Sequence, residues 1–91
     1  MNNDFKTPGE LGRLIAQNVR ERRKARKLSM KRLSEMTGVS HGSIKRFESS
    51  GMISLTSLLK IAIVLDCADE FEQLFARAMP ASIQEILDGN L

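Results

Sequence analysis

The sequence predicts an all-α fold of five helices followed by a short C-terminal helical tail. Apolar residues recur at spacings of three and four along most of the chain, which is the periodicity of helices with one buried face. Serine or threonine precedes the first four apolar stretches, as expected of residues that cap helices. The two prolines, Pro8 and Pro80, lie near the ends, and four phenylalanines are the only aromatic residues. A core built mainly from Leu, Ile, Val and Met favours helices over a β-sandwich.

The first helix is predicted to begin at Pro8, with Thr7 as its N-cap and Glu10 reaching back to complete a capping box. It is expected to end at about residues 24–26. The residues predicted to face inward share helical spacing: Leu11, Leu14, Ile15 and Val19. One turn beyond Val19 this apolar stripe continues into a charged residue, Arg23.

The second and third helices are predicted to be short, with a turn around Gly38 between them. Ser29 and Ser40 are the expected N-caps, and Gly38 is suited to end the second helix in a left-handed conformation. Two short helices joined by a glycine-containing turn form a helix-turn-helix, which we place at about residues 29–49. The residues predicted to face inward are Met30, Leu33, Met36, Ile44 and Phe47.

The fourth helix is predicted at about residues 55–65. It is apolar nearly all round, which indicates a central core helix. A capping-box spacing from Asp69 to Glu72 predicts the start of a fifth helix that stops before Pro80. Its predicted inward residues are Phe71, Leu74, Phe75 and Ala78. We therefore expect a domain at residues 1–78 and a tail at 79–91, in which Ile83, Ile86 and Leu87 suggest a last amphipathic turn that docks on its own domain, frays, or docks on a partner.

Charge is distributed unevenly along the chain. Residues 20–46 contain ten Lys or Arg and two acids, a net charge of +8. Residues 66–91 contain six acids and one arginine, a net charge of −5. This asymmetry indicates one side that faces a polyanion, although basic residues that merely solvate a helix are the alternative explanation.

The outward face of the third helix carries the predicted DNA contacts. With Ile44 and Phe47 inward, this face has no acid and offers hydrogen-bond donors suited to base edges. The expected base contacts are Ser40, His41, Gly42, Ser43, Lys45 and Arg46. The expected phosphate contacts, from the start of the second helix and the end of the third, are Ser29, Lys31, Arg32 and Ser49. Gly42 either lets the helix approach the groove closely or is simply tolerated in the first turn.

Glu48 falls beside Ile44 on the apolar face of the third helix. A buried carboxylate needs a partner. Arg23 lies where the apolar stripe of the first helix becomes cationic, so we expect a buried Arg23–Glu48 ion pair that ties the two helices together.

These residues resemble the Cro/phage-repressor (xenobiotic-response-element) type of helix-turn-helix regulator over roughly residues 11–75. The resemblance is carried by residues 11–15 and Arg23, then 28–34, then 38–40 with Ile44 and Glu48, and then Leu55 to Leu65. It implies a five-helix fold, a third helix in the major groove, and a homodimer on double-stranded DNA. Met30 stands where the family often has Gln, Ser34 where it usually has Ala, and the loop after Glu48 is about one residue shorter and lacks the usual proline.

Other classes of function fit the sequence less well. One His and one Cys, without metal-ligand spacing or a glycine-rich phosphate loop, predict neither an enzyme nor a cofactor. An antitoxin that binds a toxin and represses its own operon is the alternative regulator. A basic amphipathic helix on a membrane, residues 13–32, conflicts with the break near Ser29. The single Cys67 and the lack of a signal peptide favour a cytoplasmic protein.

Overall fold

Five α-helices, and no strand, form residues 6–76, the part of the protein that the computed structural model describes. They are α1 (Pro8–Ala25), α2 (Met30–Thr37), α3 (His41–Ser50), α4 (Leu55–Val64) and α5 (Ala68–Glu72). The predicted all-α fold is confirmed, and the first four helices lie within two residues of their predicted bounds. The amphipathic turn predicted in the tail lies outside the described residues.

Local hydrogen bonds explain where the first four helices begin. The side chains of Thr7, Ser29, Ser40 and Ser54 each accept a hydrogen bond from the backbone N–H three residues later. Each such cap is worth about 1 kcal/mol. At α1 the capping box is complete, because the Thr7 N–H also donates to Glu10 Oε1 at 2.9 Å. This hydrogen bond lowers the pKa of the Glu10 carboxyl below its usual value.

The core lies where α2, α3 and α4 meet. Its members are all buried: Leu33, Val39, Ile44, Ile61, Ala62, Leu65 and Cys67. Phe47, also fully buried, faces inward with Ile44 as the sequence predicted. These two side chains set which face of α3 points away from the protein.

The packed face of α1 differs from the prediction. Ala16 and Arg23 are its buried residues, whereas Leu11, Leu14 and Ile15 are 48%, 39% and 37% exposed. The reason is the close approach of α1 to the end of α3. A Cβ on Gly51 would lie 2.5 Å from the carbonyl carbon of Gly12, so only a face of small residues fits there.

The inward prediction for Met36 in α2 is also wrong, and α4, although it contributes to the core, is not buried all round. Met36 is exposed. One turn after the buried Leu33, the residue on the inward face of α2 is the half-buried Thr37 rather than Met36. α4 packs against α2 and α5 on one side, which leaves Leu55 and Ile63 exposed. Within residues 6–76, part of the apolar surface of α4 therefore remains exposed.

The fifth helix starts earlier and ends earlier than predicted. The Cys67 N–H donates to the Ala62 carbonyl, and Asp66 has φ 57°, so the chain reverses and α5 begins at Ala68 rather than after Asp69. α5 ends at Glu72, and Phe75 has φ 58°. Phe71 is half-buried, whereas Leu74 and Phe75 are 55% and 99% exposed rather than inward, and Ala78 lies outside the described residues.

Candidate nucleic-acid interface

The outward face of α3 is open to solvent along its length. Six residues here are exposed, and all were predicted from the sequence to contact DNA: His41, Gly42, Ser43, Lys45, Arg46 and Ser49. Within residues 6–76, neither Lys45 nor Arg46 forms an ion pair with a carboxylate. Both positive charges are therefore available to an external anion or acceptor.

The turn between α2 and α3 is held by side-chain hydrogen bonds. Gly38 has φ 77°, which a glycine adopts without strain. The Val39 N–H donates to Thr37 Oγ1 at 3.1 Å, and Ser34 Oγ donates to the Val39 carbonyl at 2.6 Å. Ser34, which stands where the family usually has alanine, therefore adds a hydrogen bond that alanine could not make.

Ser40 and Ser43 form a linked pair at the start of α3. Ser40 Oγ accepts from the Ser43 N–H at 3.1 Å and lies 2.8 Å from Ser43 Oγ. If Ser40 donates to Ser43, the Ser43 hydroxyl proton can point outward to an acceptor. Ser40 acts in the structure as the helix cap, so its contact with a base would have to be shared with that role.

Arg46 lies beside Met52, a residue that was not predicted to belong to this surface. Its Nη2 is 3.9 Å from the sulfur of Met52, which is exposed in the loop after α3. Together they border a depression of about 340 Å³ whose other lining residues are Ser43, Ile53, Ser54 and Ser57. Met52 carries no local sequence signal for this position, because its contact depends on how the loop folds back.

The predicted phosphate contacts are all exposed, three of them at the start of α2 and one near the end of α3. Ser29 caps α2 by accepting from the Arg32 N–H at 2.9 Å, and Lys31 extends from its first turn. Arg32 also lies 3.5 Å from Glu35, in a pair whose side chains are 60% and 54% exposed. Such an exposed pair is weak and breaks readily when a phosphate competes for the arginine. Ser49 Oγ donates to the Arg46 carbonyl at 3.1 Å.

Arg23 and Glu48 form a bidentate ion pair beneath the surface. Arg23 Nε donates to Glu48 Oε2 at 2.7 Å and Nη2 donates to Oε1 at 2.9 Å. Arg23 Nη1 also donates to the Leu28 carbonyl at 2.7 Å. The side chains are only 8% and 7% exposed. One guanidinium thus connects α1, the loop before α2, and α3.

This combination of a fixed helix–turn–helix and an outward, acid-free basic face defines a DNA-binding domain. A family model described as helix-turn-helix matches residues 19–71, and the chain belongs to that family, the Cro/phage-repressor type. It is therefore a DNA-binding protein of the transcription-regulator class. A search of curated proteins found no match.

Two structural features bear on other functions. Across residues 6–76, no single helix is long and apolar enough to cross a membrane, although α3 and α4 together, bent by 98°, reach that length and composition. No group of three or more His, Cys, Asp or Glu side chains is arranged to hold a metal ion in the same part of the chain.

Proposed function

We propose that the protein is a repressor that inserts α3 into the major groove of a DNA operator. The observation that carries this proposal is the orientation of α3. Its inner face is fixed by the buried Ile44 and Phe47, and its outer face presents Lys45 and Arg46 with no competing carboxylate among residues 6–76. A repressor would act by occupying the operator.

Base recognition is assigned to the outer face of α3. Arg46 can grip guanine O6 and N7 with two hydrogen bonds, a geometry that its planar guanidinium favours. Lys45, His41 and Ser43 supply further donors, Ser40 stands at the end that enters the groove, and Gly42 leaves room for close approach. Apart from the neighbouring residues and the nearby backbone of α3 itself, no atom of the described residues lies within 4 Å of the position that a Cβ on Gly42 would take.

Phosphate contacts are assigned to the start of α2 and the end of α3. Ser29, Lys31 and Arg32 surround the N-terminus of α2, where free N–H groups and positive charge favour an anion. Ser49 lies at the opposite end of the reading helix. These contacts would position the protein on the duplex without selecting its sequence.

We further propose a homodimer, whose two copies of α3 lie about 34 Å apart, one turn of DNA. Phe75, which is 99% exposed, is an apolar side chain that a second copy could cover. Sedimentation should show a dimer in solution or on DNA. A strict monomer bound to a non-palindromic site would contradict the dimer.

Selection of bound sequences from random duplex DNA tests the proposed function. The protein should enrich one sequence arranged as an inverted repeat. A Lys45→Ala/Arg46→Ala variant should lose the enriched bases, whereas Arg20→Ala, an exposed charge change on α1, should retain them. If the unaltered, folded protein enriches no sequence, it is not a sequence-specific regulator.

A further inference from the structure

An open apolar groove runs between α1 and α5, on elements that carry none of the proposed base contacts. Its volume is about 510 Å³. The residues that give it its apolar character are Ile15, Val19, Ala25, Cys67, Phe71 and Leu74. Ile15 and Leu74 remain substantially exposed, and Leu11 extends the apolar surface one turn further along α1. Such an apolar surface offers a place where an apolar face of another segment can be buried.

We infer that residues 82–88 of the same chain occupy this groove. The described structure stops at Ala76, two residues after Leu74, which itself lines the groove. The seven residues from there to Ile83 can span up to about 23 Å. The α1 wall of the groove, from Ile15 to Ala25, is about 15 Å long, so the segment can reach any part of it.

The sequence of this segment matches the groove in pattern and size. Ile83, Ile86 and Leu87 have the spacing of one apolar helical face, and a helical stretch of seven residues is about 10 Å long. Glu85 and Asp88 fall outside that apolar face, so they would point to solvent. α5 ends at Glu72, and the segment follows Pro80, a residue disfavoured inside helices, so the sequence separates it from α5.

Arg22 and Arg26 give α1 positive charge beside the groove, which Glu21 and Glu70 also line or border. Two ion pairs already join α1 to the acidic part of the chain: Arg22 with Glu70, and Arg26 with Asp66 at 3.9 Å. The Glu70 carboxylate raises the pKa of the Arg22 guanidinium. Glu85 and Asp88 would place two more negative charges near the same basic helix.

Attachment to the same chain favours this segment over one from a second copy. A short tether gives an effective concentration in the millimolar range, far above that of a protein at micromolar concentration. Phe75 does not line the groove, so it stays available to the dimer contact proposed above. Occupation of the groove does not depend on DNA binding.

Disulfide trapping in the full chain tests this position. In a Cys67→Ala background, Ile15→Cys should form a disulfide with Ile86→Cys within one chain, at least tenfold faster than Gln17→Cys does. Gln17 is exposed and lies about 200° around α1 from Ile15, which makes it a matched control. Equal rates for the two pairs would overturn the inference. So would disulfide-linked dimers as the main product at about 1 μM protein, which would assign the groove to a second copy.

A fluorescent reporter provides a second measurement should the cysteine variants fold poorly. The chain has no Trp or Tyr, so Leu87→Trp introduces a single emitting tryptophan. Its emission should be blue-shifted and independent of protein concentration. Adding Leu74→Asp should shift the emission to the red, whereas Phe75→Asp, also exposed but outside the groove, should not. Emission typical of a water-exposed tryptophan in the folded protein would overturn the inference.

Discussion

Removing one partner of the Arg23–Glu48 ion pair should destabilise the protein more than any change to an exposed ion pair. Glu48→Ala leaves a guanidinium that is 8% exposed without two of its three hydrogen bonds. Breaking a buried pair in this way costs about 3–5 kcal/mol. Small domains have a free energy of unfolding of about 5–15 kcal/mol, so the change removes much of the total. At about 4–8 °C per kcal/mol, Tm should fall by at least about 12 °C.

The chain provides its own control for this experiment. Arg32 and Glu35 are the same residue types in an exposed pair, so Glu35→Ala should cost about 0–1 kcal/mol. Urea unfolding at 25 °C, followed by circular dichroism, gives both free energies of unfolding. An apolar double replacement, Arg23→Met/Glu48→Leu, should recover most of the loss because it leaves no buried charge. The free energy of unfolding of Glu48→Ala could instead lie within about 1 kcal/mol of that of the unaltered protein, the loss expected for an exposed pair. In that case the buried pair does not hold α1 to α3.

Three further predictions concern DNA recognition, backbone contact and pH. Arg46→Ala should cost about 1–3 kcal/mol of DNA-binding free energy and relax the preference at one or two base positions. Arg32→Ala should lower the affinity for all sequences alike and reduce the slope of log affinity against log salt concentration by about one. Affinities for single-base operator variants at several salt concentrations check this, and the reverse pattern would contradict the assignment. In urea unfolding, Gly51→Ala should destabilise the protein more than Gly38→Ala. Both glycines have positive φ, but only at Gly51 would the added Cβ lie within 3 Å of backbone atoms of α1. Equal losses of unfolding free energy would mean that α1 moves aside. The pKa of Glu10 in the folded protein is lowered from 4.5, so its contribution to stability is present above that pH and is lost as the pH falls through the folded-state pKa. Glu10→Gln should therefore make the fall in Tm below about pH 4.5 less steep. An unchanged dependence of Tm on pH in that range would contradict this.

Features that depend on local chemistry were predictable from the sequence. Serine caps, the left-handed Gly38 and the inward Ile44 and Phe47 follow from hydrogen bonds and spacing within a few residues. The Arg23–Glu48 contact joins residues 25 apart in the chain. It was still predictable, because a carboxylate on an apolar helix face needs a partner when buried and few Lys or Arg side chains lie on an apolar helix face.

Features that depend on how helices approach one another were not predictable. The apolar pattern of α1 places Leu11, Leu14 and Ile15 inward, but the helix packs on α3 through Gly12 and Ala16. Nothing in the local sequence marks Gly12 as a partner of Gly51. Similarly, the early end of α5 depends on backbone conformation at Phe75, which apolar spacing does not encode.

The contact between Gly12 and Gly51 has a consequence for how such regulators diversify. The end of α3 is positioned by backbone packed against backbone, and none of the exposed α3 side chains proposed to contact DNA takes part in that contact. Changes to those exposed side chains leave this joint and the buried ion pair intact. Under the proposed recognition by α3, the framework can therefore be inherited unaltered while the operator changes, and exchanging the exposed α3 residues should give related regulators that ignore one another's operators.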